Sequence, residues 1–107
     1  MDDKKQGEKI DPYKLRVKNP ETTFFPQAEE ENTFLGIRKG DLIVCDRAAE
    51  ALDGKTVIAD MDGDLSLWRL ARKDGKAYLL GEEREKEITG REHVFIWGVV
   101  TWILREG

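Results

Sequence analysis

The sequence predicts a small, mostly β, antiparallel domain, and three observations carry that prediction. Its apolar residues are clustered in short runs of strand length, such as Leu42-Ile43-Val44-Cys45. Two Asp-Gly dipeptides, Asp62-Gly63 and Asp74-Gly75, stand between such runs. That dipeptide supplies the two positive-φ positions of a tight hairpin turn. Finally, the stretch His93 to Leu104, HVFIWGVVTWIL, is rich in the β-branched and aromatic residues that fit a pleated surface.

In chain order, residues 1–14 are lysine- and acid-rich and precede Leu15, the first residue of a sustained apolar pattern. They read as a flexible N-terminal arm, with residues 15–107 as one β domain. Thr22 to Phe25 is a short β-prone segment ended by Pro26, and Gln27 to Asn32 is an acidic, solvated loop. After the Leu42–Cys45 strand, Ala48 to Leu52 has room for no more than a helical turn before Asp53-Gly54. Thr56 to Met61, Leu65 to Ala71 and Ala77 to Leu80 then form consecutive strands joined at the two Asp-Gly turns. Gly81 to Arg91 reads as a charged loop with one short strand around Ile88. The last strand has too little polar content for one wet face. Alternation puts Val94, Ile96, Val100 and Trp102 on one side and Phe95, Trp97, Val99 and Ile103 on the other. A strand apolar on both sides is either central to the fold or covered by a partner, and its pattern leaves both open.

Composition removes several classes of function. The chain has 107 residues, with 39% hydrophobic and 37% charged, which suits one folded domain with a solvated segment. No stretch approaches the roughly 20 apolar residues that span a bilayer, and MDDKKQGEKI lacks the apolar core of a secretory signal. The expected compartment is the cytoplasm, with no membrane partner. One cysteine, Cys45, makes neither an internal disulfide nor a cysteine zinc site. A net charge of −4 argues against holding nucleic acid on the chain's own surface. Nothing in the sequence calls for a cofactor or a metal.

Several local motifs invite a chemical reading. Asp60-Met61-Asp62-Gly63-Asp64 after an apolar strand resembles the DxDG signature of haloacid-dehalogenase-type phosphatases, in which one aspartate attacks phosphorus. That fold needs further βα units, and the 43 residues after Asp64 read as antiparallel hairpins, so the motif reads as a hairpin turn. Asp60, Asp62 and Asp64 also mimic the start of a calcium loop. The glycine and glutamate such a loop requires would fall on Leu65 and Ala71, which removes it. Ser66 and His93 are the sole residues of their kinds, with no oxyanion glycine motif beside the serine, and read as a surface serine and a strand-edge histidine. Cys45 inside its apolar run reads as a buried small hydrophobe. Trp68, Trp97 and Trp102 lack a basic field and read as core or interface aromatics, and Arg69, Arg72 and Lys73 as a solvated strand end.

Taken together, several segments resemble the LexA/UmuD family of self-cleaving serine peptidases. Gly36-Ile37-Arg38-Lys39-Gly40-Asp41-Leu42-Ile43-Val44 and Asp46-Arg47 carry the likeness, followed by Gly54-Lys55-Thr56-Val57-Ile58-Ala59, Asp62-Gly63 and Arg69-Leu70. Upstream, Val17 to Phe25 is similar to the corresponding UmuD segment, and downstream Phe95 to Thr101 matches closely. The resemblance runs in collinear order over about residues 15–104 and is nearer to UmuD than to LexA. It implies a small, twisted, antiparallel β structure of the LexA/UmuD C-terminal peptidase-domain type.

The family's serine, in a G-x-S-M motif, attacks a peptide bond of the protein's own N-terminal arm, activated by a lysine held neutral in an apolar setting. This sequence departs at both positions. The stretch after Phe25 reads PQAEEENTFL and is one residue short, so the serine position falls on Glu31 or Asn32. The lysine position, anchored by Arg69-Leu70, holds Trp68, which has no amine to titrate. Thr33 is the nearest hydroxyl and would have no base. The small-residue–glycine cleavage junction is missing too, since Gln6 precedes Gly7. An aromatic in place of the lysine removes the cost of a buried amine and is expected to leave the old cleft closed or shallow.

The resemblance therefore implies a non-catalytic, UmuD′-like homodimer serving an error-prone Y-family DNA polymerase in the SOS response, reaching DNA only through that partner. The expected dimer surface is Phe95, Trp97, Val99 and Ile103. Two alternatives stand beside it. One is a residual self-cleaving peptidase using Ser66 or Thr33; the other is a dimerisation remnant or antagonist of a LexA- or phage-type repressor.

Overall fold

The computed structural model describes residues 19–105. The arm expected over residues 1–14 lies outside them, as do Val17 and Lys18. After a 3-10 turn at Pro20–Thr22 come β1 (Thr23–Phe24), β2 (Leu42–Asp46), β3 (Thr56–Met61), β4 (Asp64–Lys73), β5 (Lys76–Leu80), β6 (Glu85–Ile88) and β7 (Val94–Leu104). They form a single sheet in the order β1-β2-β7-β3-β4-β5-β6. Every pairing is antiparallel. Among the described residues no helix is long and apolar enough to cross a membrane.

The Asp-Gly turns sit where the sequence puts them. Asp62 and Gly63 have φ of 55° and 94°, and Asp74 and Gly75 have 54° and 75°, the double positive-φ signature of two-residue hairpins joining β3 to β4 and β4 to β5. Asp60 Oδ1 accepts the Gly63 N–H at 2.7 Å, so the first aspartate of the phosphatase-like motif braces a turn. The short strand expected around Ile88 is β6.

β7 lies inside the sheet between β2 and β3, which explains its apolar character on both sides. One face packs Val100 with Ile43, Cys45, Ile58, Leu35 and Ile37. The other packs Val94 and Val99 with Val57, Ala59, Trp68, Leu70 and Leu79. Burying each such side chain is worth about 1.5–3 kcal/mol, so this strand is the hinge of the core.

Strict alternation fails along β7, and the expected interface changes with it. Against β3 the register passes from Gly98 to Ile96, with Trp97 extra. Against β2 it passes from Trp102 to Val100, with Thr101 extra. Each extra residue is a bulge that reverses the side-chain parity beyond it. Phe95, Trp97, Val99 and Ile103 therefore do not share a face. Trp97 and Ile103 pack on the Val100 side. Val99 lies in the opposite cluster, 3% exposed, and cannot reach a partner, whereas Phe95 is 51% exposed.

Two buried carboxylates tie the irregular segments to the sheet. Asp41, 2% exposed, accepts Arg105 Nε at 2.8 Å, Arg105 Nη2 at 2.6 Å and the Arg38 N–H at 2.8 Å. Those bonds hold its pKa down at about 2, with Arg105 the larger cause. Asp46 accepts Asn19 Nδ2 at 3.0 Å, Thr22 Oγ1 at 2.8 Å and the Ala48 N–H at 2.8 Å, which fixes the entry to β1 against the end of β2.

Candidate functional site: a groove beside β4

A groove of about 970 Å³ runs between the 24–32 loop and the β4 edge. Its floor is apolar, made by Ile43, Ile58, Leu67 and Trp97. One wall is Phe24 to Asn32; the other is Ser66, Trp68, Gly81, Glu82 and Arg84. The loop wall is built locally. Ala28 N donates to Asp41 O at 2.8 Å and Gly40 N to Ala28 O at 2.8 Å, which lashes the acidic loop to the start of β2.

The groove brings together the positions that the resemblance singled out. Glu31 and Asn32 line one side and Trp68 the other. Asn32 is committed to structure: its backbone exchanges hydrogen bonds with Ile37 at 2.8 and 2.9 Å, and its Oδ1 accepts the Leu35 N–H at 3.1 Å. It acts as an Asx-type cap on the turn leading to Gly36. Glu31 is exposed on the rim.

Trp68 is 4% exposed, and its indole N–H donates to Ser66 Oγ at 2.8 Å. The Arg84 guanidinium lies 4.6 Å from its ring centroid, a cation–π contact. Ring carbon Cζ3 lies 3.2 Å from where a Cβ at Gly81 would stand, so the β5–β6 connection packs closely on the ring. These contacts explain why the cleft is not closed, against expectation. The bulk of Trp68 is drawn into the wall and the Val57–Leu70 cluster, and the space beside it stays open.

Among the described residues that line the groove there is no lysine, and the one cation is Arg84. Thr33 is exposed and does not line it. His93 does not line it either, and its carbonyl accepts the Asp62 N–H at 2.9 Å. Cys45 is buried, and burial above all raises its thiol pKa to about 12, which keeps it an inert hydrophobe.

Trp97, one of the four residues expected at a dimer surface, lines the groove floor. Its ring meets Phe24 with centroids 5.3 Å apart and carries the Arg47 guanidinium at 4.4 Å, while Arg47 Nε donates to its carbonyl at 3.0 Å. Arg84 gave no signal in the sequence, because its partner is sixteen positions away across two strands.

An all-antiparallel seven-stranded sheet with this groove beside its fourth strand defines a β domain of the LexA/UmuD peptidase type. The family profile described as peptidase S24-like matches residues 2–101, and the chain belongs to that family. Among curated relatives, it is 33% identical over 90 residues to the protein ImpA of Escherichia coli, covering 82% of this chain and 62% of ImpA. It is 34% identical over 95 residues to the protein SamA of Salmonella typhimurium, covering 88% of this chain and 67% of SamA. The LexA repressor of Cupriavidus pinatubonensis is 34% identical over 74 residues, 65% of this chain and 34% of the repressor. The chain thus spans 62% of the length of the ImpA relatives.

Proposed function

We propose that the chain is a non-cleaving, UmuD′-like homodimeric accessory protein of an error-prone Y-family DNA polymerase in SOS mutagenesis. In this reading residues 1–14 are an arm, residues 15–107 are the adaptor body, the compartment is the cytoplasm, and DNA is met only through the polymerase. The observation that carries it is Trp68. At the position the resemblance assigns to the family's lysine, a buried indole spends its one donor on Ser66, and no lysine is among the described residues lining the groove. Ser66 Oγ accepts that indole N–H, and Asn32 is occupied as a turn cap. The acidic balance supports a subunit that does not grip DNA itself.

For the dimer, the end of β7 offers a better surface than the four residues named from alternation. Pairing with β3 stops at Val99, whereas Val100 to Leu104 continue along β2. Among the described residues that leaves one strand edge unpaired on the β3 side, with Trp102 48% exposed there. Open apolar edges favour pairing with another chain. The test is co-purification of the tagged chain with a Y-family polymerase from the same cell. Recovery of the polymerase with a dimer of this chain is the expected result; a mixed dimer with a full-length LexA-type repressor in its place would select the antagonist reading.

A further inference from the structure

We propose that the groove is a docking site for an extended segment of a partner protein, one presenting an apolar side chain flanked by lysine or arginine. The inference rests on the non-cleaving reading, in which the groove holds a peptide without cutting it. Beyond the apolar floor, Phe24 and Phe25 on one margin and Leu65 on the other are all exposed. Cross-strand register extends this surface: Leu65 pairs with Asp60 and Asp60 with Phe95, so two half-exposed hydrophobes flank one carboxylate. A continuous uncovered apolar surface of this kind on a soluble domain marks an interaction site.

The rim selects the partner. Glu29, Glu30 and Glu31 line one wall and Glu82 the other. Among the described residues none of these four is in an ion pair. Arg84, the one cation among the described lining residues, is held over the Trp68 ring. Carboxylates above a low-dielectric floor focus a negative field into the groove, which draws cations and repels acidic chains. A nucleic-acid backbone, with its row of phosphates, is a poor match for this rim.

The test is fluorescence anisotropy with two labelled heptapeptides, Lys-Leu-Lys-Phe-Lys-Leu-Lys and Glu-Leu-Glu-Phe-Glu-Leu-Glu, and the whole chain. The basic peptide should bind at least about tenfold more tightly than the acidic one and weaken as salt rises. Glu30→Lys with Glu31→Lys should weaken it by about tenfold or more. Glu50→Lys with Glu87→Lys makes the same change in net charge away from the groove and should leave affinity within about twofold. Equal loss in both double variants, equal affinity for both peptides, or no binding would overturn the proposal. Mass of the recovered peptide separates it from the reading beneath it: an intact peptide agrees with both, whereas a bound but cut peptide supports docking and ends the non-cleaving reading.

Discussion

Asp41 shows how one side chain makes a segment depend on pH. Its folded pKa, about 2, lies below the roughly 3.9 of an unfolded aspartate, so the ionised form is favoured by folding. The contribution is complete above about pH 4 and is lost as pH falls through 2. Urea midpoints measured from pH 5 to pH 2 should therefore fall in that window. Arg105→Gln should lower the neutral value and flatten the dependence, because Arg105 is the main source of the shift. Gly98 is a steric counterpart. A Cβ there would stand 2.5 Å from Cys45 Sγ, inside any real contact distance. Gly98→Ala should cost about 1–3 kcal/mol by overpacking. Adding Cys45→Ala removes the obstructing sulfur, so the double variant should lose less than the sum of the two single losses. Neither residue was legible as a pair in the sequence, since the contact depends on β2–β7 register.

At the scale of elements, what could be read from the sequence was what is decided locally. Asp62-Gly63 and Asp74-Gly75 dictate their turns through their own φ preferences, so β3, β4 and β5 lie close to where they were expected. β7 was legible as a strand and as doubly apolar, but not in its facing. The bulges at Trp97 and Thr101 arise from fitting one strand between two neighbours, and no residue type announces them. The groove was partly legible: resemblance named Glu31, Asn32 and Trp68 as neighbours, whereas Arg84 and Trp97 arrive through non-local pairing. The β7 overhang leads to a prediction at this scale. If the proposed dimer pairs through this edge, Trp102→Glu places a charge on it without emptying the core, so sedimentation should show dimer for the parent chain and monomer for the variant while the thermal midpoint changes little. A persistent dimer would move the interface elsewhere.

The whole molecule is a β scaffold of the S24 peptidase-like family with an open groove beside its fourth strand. Sheet order brings the 24–32 loop, the Trp68 face of β4 and the β5–β6 connection to one place. Among the described residues, what this chain places there is an aromatic, a turn-capping amide and carboxylates. The central claim is therefore that nothing here attacks its own arm. Intact-mass spectrometry of the purified protein after prolonged incubation at about pH 10, near the ordinary lysine pKa of about 10.4, tests it most directly. The expected result is a single unchanged species at 12.3 kDa. A discrete N-terminal truncation that accumulates with time would contradict it, because some residue of this chain would then be acting as the nucleophile.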